Sequence, residues 1–281
     1  MNLNTSHYNI QKMMGTFVTT IFALLAAVTF LFPFIIMIFG SFSKTTVMSE
    51  SIFYWIPKDI NFDNYSMVLG KKSFLRWITN SAIYTVIPTA FTVVTSLILG
   101  YIFAKKKFKG REIIFWLFLC MIMVPSQVLA VPRYMLFSRL NWIDTYGIII
   151  IPAIWDISSL FFVRQYMQGI PDEIEEAATI DGCGQFRILF SIIAPMCTSA
   201  LASVAILRFV YHWNDFFYPL VFLTSEIKYP ITVGLASLMA ESPSFGLTMA
   251  GAVINFLPTF IVFMCLQRYF IEGISTAGLK G

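Results

Sequence analysis

Asp156, Arg208, Asn214 and Asp215 lie within or just beyond stretches that are otherwise fit for the interior of a bilayer. A charge in hydrocarbon is costly, so each is a candidate for lining a solute pathway. A guanidinium and a carboxylate there could neutralise one another, or could hold the hydroxyls or an anionic group of a passing molecule. Asp215 is near enough in sequence to be the counter-ion of Arg208, and the arginine could equally extend to the membrane surface. Tyr211, Trp213, Phe216 and Tyr218 suit stacking on a solute ring. Aromatic belts at bilayer surfaces are rich in such residues anyway, and the belt is their expected role.

Other chemistries find little support. The two histidines, His7 and His212, share no ligand spacing with the four cysteines, Cys120, Cys183, Cys197 and Cys265. No CxxC pair occurs, so a metal site is not expected and the cysteines read as packing residues. The chain lacks a GxxxxGK[ST] phosphate loop, a GxSxG elbow and an HExxH pair. Any energy for work must come from an ion gradient or from another subunit.

The elements that must position these residues are membrane helices. Hydrophobic residues make up 58% of the 281 and charged residues 12%, with a mean hydropathy of +0.76. Residues 15–43, 77–104, 113–132, 188–207 and 242–267 contain no charged side chain, and 145–163 contains only Asp156. A helix of about 20 residues crosses roughly 30 Å of hydrocarbon while satisfying its own backbone. Six spans are therefore expected, at about 15–41, 77–104, 112–136, 145–168, 190–212 and 246–270, in one membrane domain over 1–281. Pro33, Pro125 and Pro132 should kink their spans. The first run is too long for a signal-peptide core and reads as a retained span.

"KKKFKGR", residues 105–111, packs five cations into seven positions, which predicts a cytoplasmic loop between spans 2 and 3. Both termini, and the loop between spans 4 and 5, should then be cytoplasmic as well. The 44–76 loop has five cations diluted by three acids and is expected to fold against the outer face. The proline-bearing segment from Tyr218 to Gly246 suggests a re-entrant or interfacial piece. Neither cluster requires a nucleic-acid partner.

The remaining concentration of charge is "PDEIEEAATIDGCGQF", residues 171–186, which holds five of the fifteen carboxylates. Asp172 can cap a helix whose Glu175 reaches back, a capping box, and the acids suit the positive end of the helix dipole. Gly182 or Gly184 ends it, giving a helix at about 172–184. Ile174, Ala177 and Ala178 fall on one narrow face that another surface could approach closely.

The spacing Glu176, Ala177, Ala178, then Gly182, Ile192 and Pro195 resembles the EAA signature of permease subunits in binding-protein-dependent ABC importers. Ala194 stands where that family usually has Leu. "WNDFFYPLVFL", "RYFIEGISTAGLKG" and "NYSMVL" followed by "FLRWITNSAIYT" are similar to segments of the carbohydrate class, in particular the smaller permease subunit of maltose-type systems. The resemblance covers most of the chain from about residue 60 to 281.

The resemblance implies an all-α, type I ABC importer permease of six spans in the bacterial plasma (inner) membrane. It implies a cytoplasmic coupling helix between spans 4 and 5, with Glu175, Glu176, Ala177, Ala178, Asp181 and Gly182 at the contact with an ATPase. Gly278, Lys280 and Gly281 would lie along the ATPase dimer interface. The partners implied are a homologous second permease, two ATPase subunits that use ATP and Mg, and an extracellular solute-binding protein. This chain would bind no cofactor and catalyse nothing, moving a sugar or oligosaccharide unaltered. A glycerophosphate ester or another polar solute is the nearest alternative, and a gradient-driven secondary transporter a more distant one.

Overall fold

The computed structural model describes residues 3–44, 56–57 and 60–278. Among these the secondary structure is helical throughout: α1 (Leu3–Ser41), α2 (Asp63–Gly70), α3 (Phe74–Lys105), α4 (Arg111–Ile122), α5 (Ala130–Arg139), α6 (Tyr146–Ala153) and α7 (Ile157–Gln168). The chain continues through α8 (Glu173–Ile180), α9 (Gln185–Met196), α10 (Thr198–Trp213), α11 (Phe217–Phe222), α12 (Ile231–Glu241) and α13 (Phe245–Gly278). By length and apolar composition four stretches can cross a membrane, and two bent helix pairs bring the number to six.

The third and fifth spans are more than kinked. The α4 segment meets the Ser126–Arg139 segment at 86°, and α9 meets α10 at 78°. Pro125 lies in the first break, where a missing N–H and a ring clash prevent a continuous helix, and Pro195 falls in the last turn of α9, two residues before the second break at Cys197. In α9 a π-helical stretch, Ile188–Ile193, loosens the backbone just before the turn. The fourth span also opens, because α6 ends after Pro152 and Asp156 adopts an extended backbone before α7.

The residues form two compact units, Met1–Gly70 with Leu238–Ile254, and Lys71–Ser237 with Asn255–Gly281. In the first, Asn64 Nδ2 donates to the carbonyls of Ser41 and Ser43, each at 2.9 Å. Tyr65 and Ser41 share a hydroxyl hydrogen bond of 2.7 Å, so α2 is stitched to the end of α1. Phe42, Phe62 and Tyr65 pack as a ring cluster beside it. Residues 60–70 of the 44–76 loop are thus held against the end of α1.

The second unit is organised around α3, against which α7 and α10 pack. The close approach to α7 requires Gly100, since a Cβ there would lie 2.8 Å from Val163 Cγ1. Leu97, Tyr101, Val163, Met167, Ile188, Ile193 and Val204 form the buried core between these helices and α9. The polar residues along α3 hold the connections in place. Thr92 and Thr95 donate to the carbonyls of Ala153 and Ile154, both at 3.3 Å, at the break in the fourth span. Asn80 donates to the carbonyls of Ile227 and Tyr229, each at 2.9 Å, and accepts from the Tyr146 hydroxyl at 2.9 Å.

The segment between α10 and α13 is a run of short helices. Asp144, in a left-handed backbone conformation, clamps it. Its carboxylate accepts from the backbone of Thr224 and Ser225, from the Ser225 hydroxyl and from Lys228. Burial opposes ionisation of Asp144, but the hydrogen bonds from Ser225 and Lys228 outweigh it and hold the carboxyl well below its usual range. Asn80→Ala should lower stability by about 3 kcal/mol, because two carbonyls and a hydroxyl lose a buried partner. The thermal midpoint of the purified variant in detergent measures the effect, and Asn80→Gln should recover little of it.

Candidate functional site

The acidic helix α8 follows α7 after a short turn. Its C-terminus is a Schellman motif: Cys183 N–H donates to the Ala178 carbonyl and Gly182 N–H to the Thr179 carbonyl, each at 3.0 Å. Gly182 takes φ +79° and is the residue that ends the helix. Gly184 is extended instead.

The expected capping box does not form. Asp172 makes no side-chain cap; its carboxylate accepts from Lys105 Nζ at 2.6 Å, and the same ammonium donates to the Ile170 carbonyl at 2.5 Å. Glu175 turns away from the helix start to pair with Lys106 and to accept from the Tyr101 hydroxyl at 2.9 Å. Tyr101 also hydrogen-bonds Gln185 at 3.1 Å. The end of α3, the start of α8 and the start of α9 are therefore joined by one polar network. The hydrogen bond and charge of Lys105 hold the Asp172 carboxyl below its usual range. At Lys106 burial favours the neutral amine, but the hydrogen bonds to Glu175 and Tyr101 prevail and its pKa is raised.

A capping box satisfies backbone donors only locally, whereas two lysines at the end of a packed span offer full opposite charges, and a charge-assisted hydrogen bond is the stronger one. A second pair braces the same face of the unit. Arg164 NH2 lies 2.9 Å from both oxygens of Glu112, its Nε donates to the Phe103 carbonyl at 3.1 Å, and its guanidinium sits 3.8 Å from the Phe115 ring centre.

Of the six coupling residues read from the sequence, two face inward. Ala178 is 6% exposed and belongs to the core cluster, with Ile174 packed against it. Glu175 is taken up by Lys106 and Tyr101. The accessible face is Glu173, Glu176, Ala177, Ile180 and Asp181, and a shallow groove between α8 and Ile192 runs beside it. Ile180 and Phe186 are 86% and 80% exposed. Neither belongs to the EAA-type spacing, although two large apolar side chains on and beside an acidic helix are a signal of contact. Gly278 is the last residue of α13, and Lys280 and Gly281 lie outside the described residues.

The pathway candidates separate as well. Arg208 NH1 pairs with Asp156 at 2.8 Å, not with Asp215. The break in the fourth span places Asp156 at the N-cap of α7, where its other oxygen accepts from Ser159 N–H at 2.5 Å. Asp215 instead accepts from Tyr218 N–H at 3.3 Å. Asp156, Arg208 and Asp215 line one cavity of about 200 Å³, together with Arg133, His212 and Tyr218. Asn214 is not part of it and binds Asn255 and the Val210 carbonyl. The aromatic belt expected at 211–218 is also revised: Trp213 is buried, with Nε1 donating to the Asn255 carbonyl at 2.9 Å, and Tyr211 and Tyr218 face the cavity.

The profile of the family described as "Binding-protein-dependent transport system inner membrane component" matches residues 96–276. The arabinooligosaccharides transport system permease protein AraQ of Bacillus subtilis is 34% identical over 93% of this chain and 95% of its own length. The trehalose/maltose transport system permease protein MalG of Thermococcus litoralis is 32% identical over 92% and 95%. The lactose transport system permease protein LacG of Rhizobium radiobacter is 31% identical over 89% and 91%. A solved bacterial ABC transporter involved in import of the acidic polysaccharide alginate has the same fold, with a TM-score of 0.79 at 24% identity over 92% of this chain and 98% of that one.

The polar network makes its own prediction. Glu175→Lys should free the start of α8 and speed amide exchange there by about tenfold, while the double exchange Lys106→Glu with Glu175→Lys restores protection. Hydrogen exchange of the purified protein reads both.

Proposed function

The chain belongs to the family of binding-protein-dependent transport system inner membrane components, and from that premise we propose that it carries an oligosaccharide inward as one subunit of an ATP-driven importer. It is a multi-pass inner-membrane permease and a transport subunit, not an enzyme. A gradient-driven secondary transporter is set aside by the family match. The sugar class is supported by AraQ, MalG and LacG, whose similarity to this chain runs almost end to end. Arabinooligosaccharide, lactose and maltose are accordingly the first solutes to try.

The observation that carries the mechanism is the position of α8. It is bound to the end of α3 through Lys105, Lys106 and Tyr101, yet it leaves Glu173, Glu176, Ala177 and Ile180 accessible. A cytoplasmic ATPase gripping that face would pull on α3 and, through the α3–α7 packing, on the rest of the second unit as one body. Gly182 supplies the turn that lets α9 leave at the required angle. ATP and Mg are used by the ATPase dimer, a homologous second permease completes the pathway, and an extracellular binding protein delivers the solute. Both termini are cytoplasmic on this reading, since "KKKFKGR" and α8 share one face. The tail at Gly278, Lys280 and Gly281 runs along the ATPase interface.

Glu176→Lys reverses the charge on the accessible face, and Gly182→Pro removes both the left-handed turn and the N–H bonded to Thr179. Both variants should insert and fold while binding-protein-stimulated ATP hydrolysis in proteoliposomes falls at least tenfold. Normal stimulation in both would remove the assignment of α8 as the coupling element. Deleting residues 278–281 should lower hydrolysis severalfold without releasing the ATPase on co-purification; unchanged hydrolysis would mark the tail as dispensable.

A further inference from the structure

Ile180 is the most exposed large apolar side chain among the described residues, at 86%. Others that stand far out, such as Phe22, Phe30 and Met123, lie in charge-free stretches where hydrocarbon covers them. Hydrocarbon is a poor cover for Ile180. It ends the face of α8 that carries Glu173 and Glu176, seven and four residues earlier, and Asp181 follows it. Sinking the isoleucine into the bilayer would take those carboxylates with it, which is costly. A second copy of this chain fits no better, because the same acids would then face one another. A groove runs along each side of α8, one bounded by Ile192 and the other by Lys107, so the helix is a ridge that a cleft can straddle.

We infer that Ile180 is the apolar anchor of the contact with the ATPase subunit, entering an apolar socket with a cationic rim, while Glu173, Glu176 and Asp181 steer the approach. The inference rests on the proposed reading of α8 as the coupling element and adds a division of roles within it. Lys105 and Lys106 are taken up by Asp172 and Glu175 and do not neutralise the three acids left over. Those three are exposed and outnumber Lys107 on the flank. The ridge therefore shows a partner net negative charge around one apolar projection. Exposed carboxylates attract a cationic surface from a distance and act on association, an effect that salt screens. A side chain removed from water holds the complex once it has formed, and so acts on dissociation.

This chain and its second permease are held together in nanodiscs, and the ATPase of the same transporter is supplied in solution without nucleotide, so that binding kinetics read the contact alone. Ile180→Ala should speed ATPase dissociation roughly tenfold or more and leave association little changed. Ile180→Leu should stay close to the unaltered rate. Alanine is the better helix former, so faster dissociation cannot come from a frayed α8, and at an exposed position there is little packing to lose. Glu173→Gln combined with Glu176→Gln should slow association severalfold and flatten its dependence on salt, with dissociation little changed. A dissociation rate that Ile180→Ala leaves unaltered, or that the two glutamines raise more than the alanine does, overturns the inference; the coupling role of α8 then still stands on the hydrolysis measured for Glu176→Lys and Gly182→Pro. Normal stimulated hydrolysis in those two overturns the coupling reading, and the inference with it.

Discussion

A backbone carbonyl released at membrane depth has no water to receive it, and the second unit is built around meeting that constraint. Continuous helices satisfy it trivially. This chain breaks three of its spans, at Pro125, at Cys197 just beyond Pro195, and just after Pro152, and each break needs another element beside it. At the fourth span the other element is α3, whose threonines supply donors to Ala153 and Ile154. Asp156 completes the repair by capping α7 and neutralising Arg208.

The dependence runs both ways. Because α3 carries polar groups on buried faces, it can anchor elements at both ends: the Tyr146 and Ile227–Tyr229 connections through Asn80, and α8 through Lys105 and Lys106. Gly100 permits the close packing on α7 that transmits any displacement. Through α3 the start of α8 is thus tied to the same helix that meets the break in the fourth span. The cavity is lined from α3, α5, α6, α10 and α11 and by Asp156 just before α7, segments that the broken spans bring together.

Charge has two roles on the basic face. Along the sequence the "KKKFKGR" loop is a topology signal, and the acids of α8 are capping and dipole chemistry, each separate from the other. In the folded protein the two clusters answer one another. Lys105 and Lys106 are paired with Asp172 and Glu175, and the acids left over, Glu173, Glu176 and Asp181, are exposed.

Sequence alone determined the all-helical membrane class, the six apolar stretches, the acidic helix ended by Gly182, and the family. All but the family follow from local composition or fixed spacing, because the bilayer demands long apolar helices and glycine alone takes the left-handed turn cheaply; the family is legible only as a resemblance of motifs. Only the tertiary structure decided which acid meets which base, that Ala178 and Glu175 face inward, and that Arg208 takes Asp156 in place of its neighbour in sequence. Those outcomes depend on rotation and breakage of whole helices. Asp156 and Arg208 are 52 residues apart in number and come together because the fourth span opens at that level, which no periodicity in either segment records.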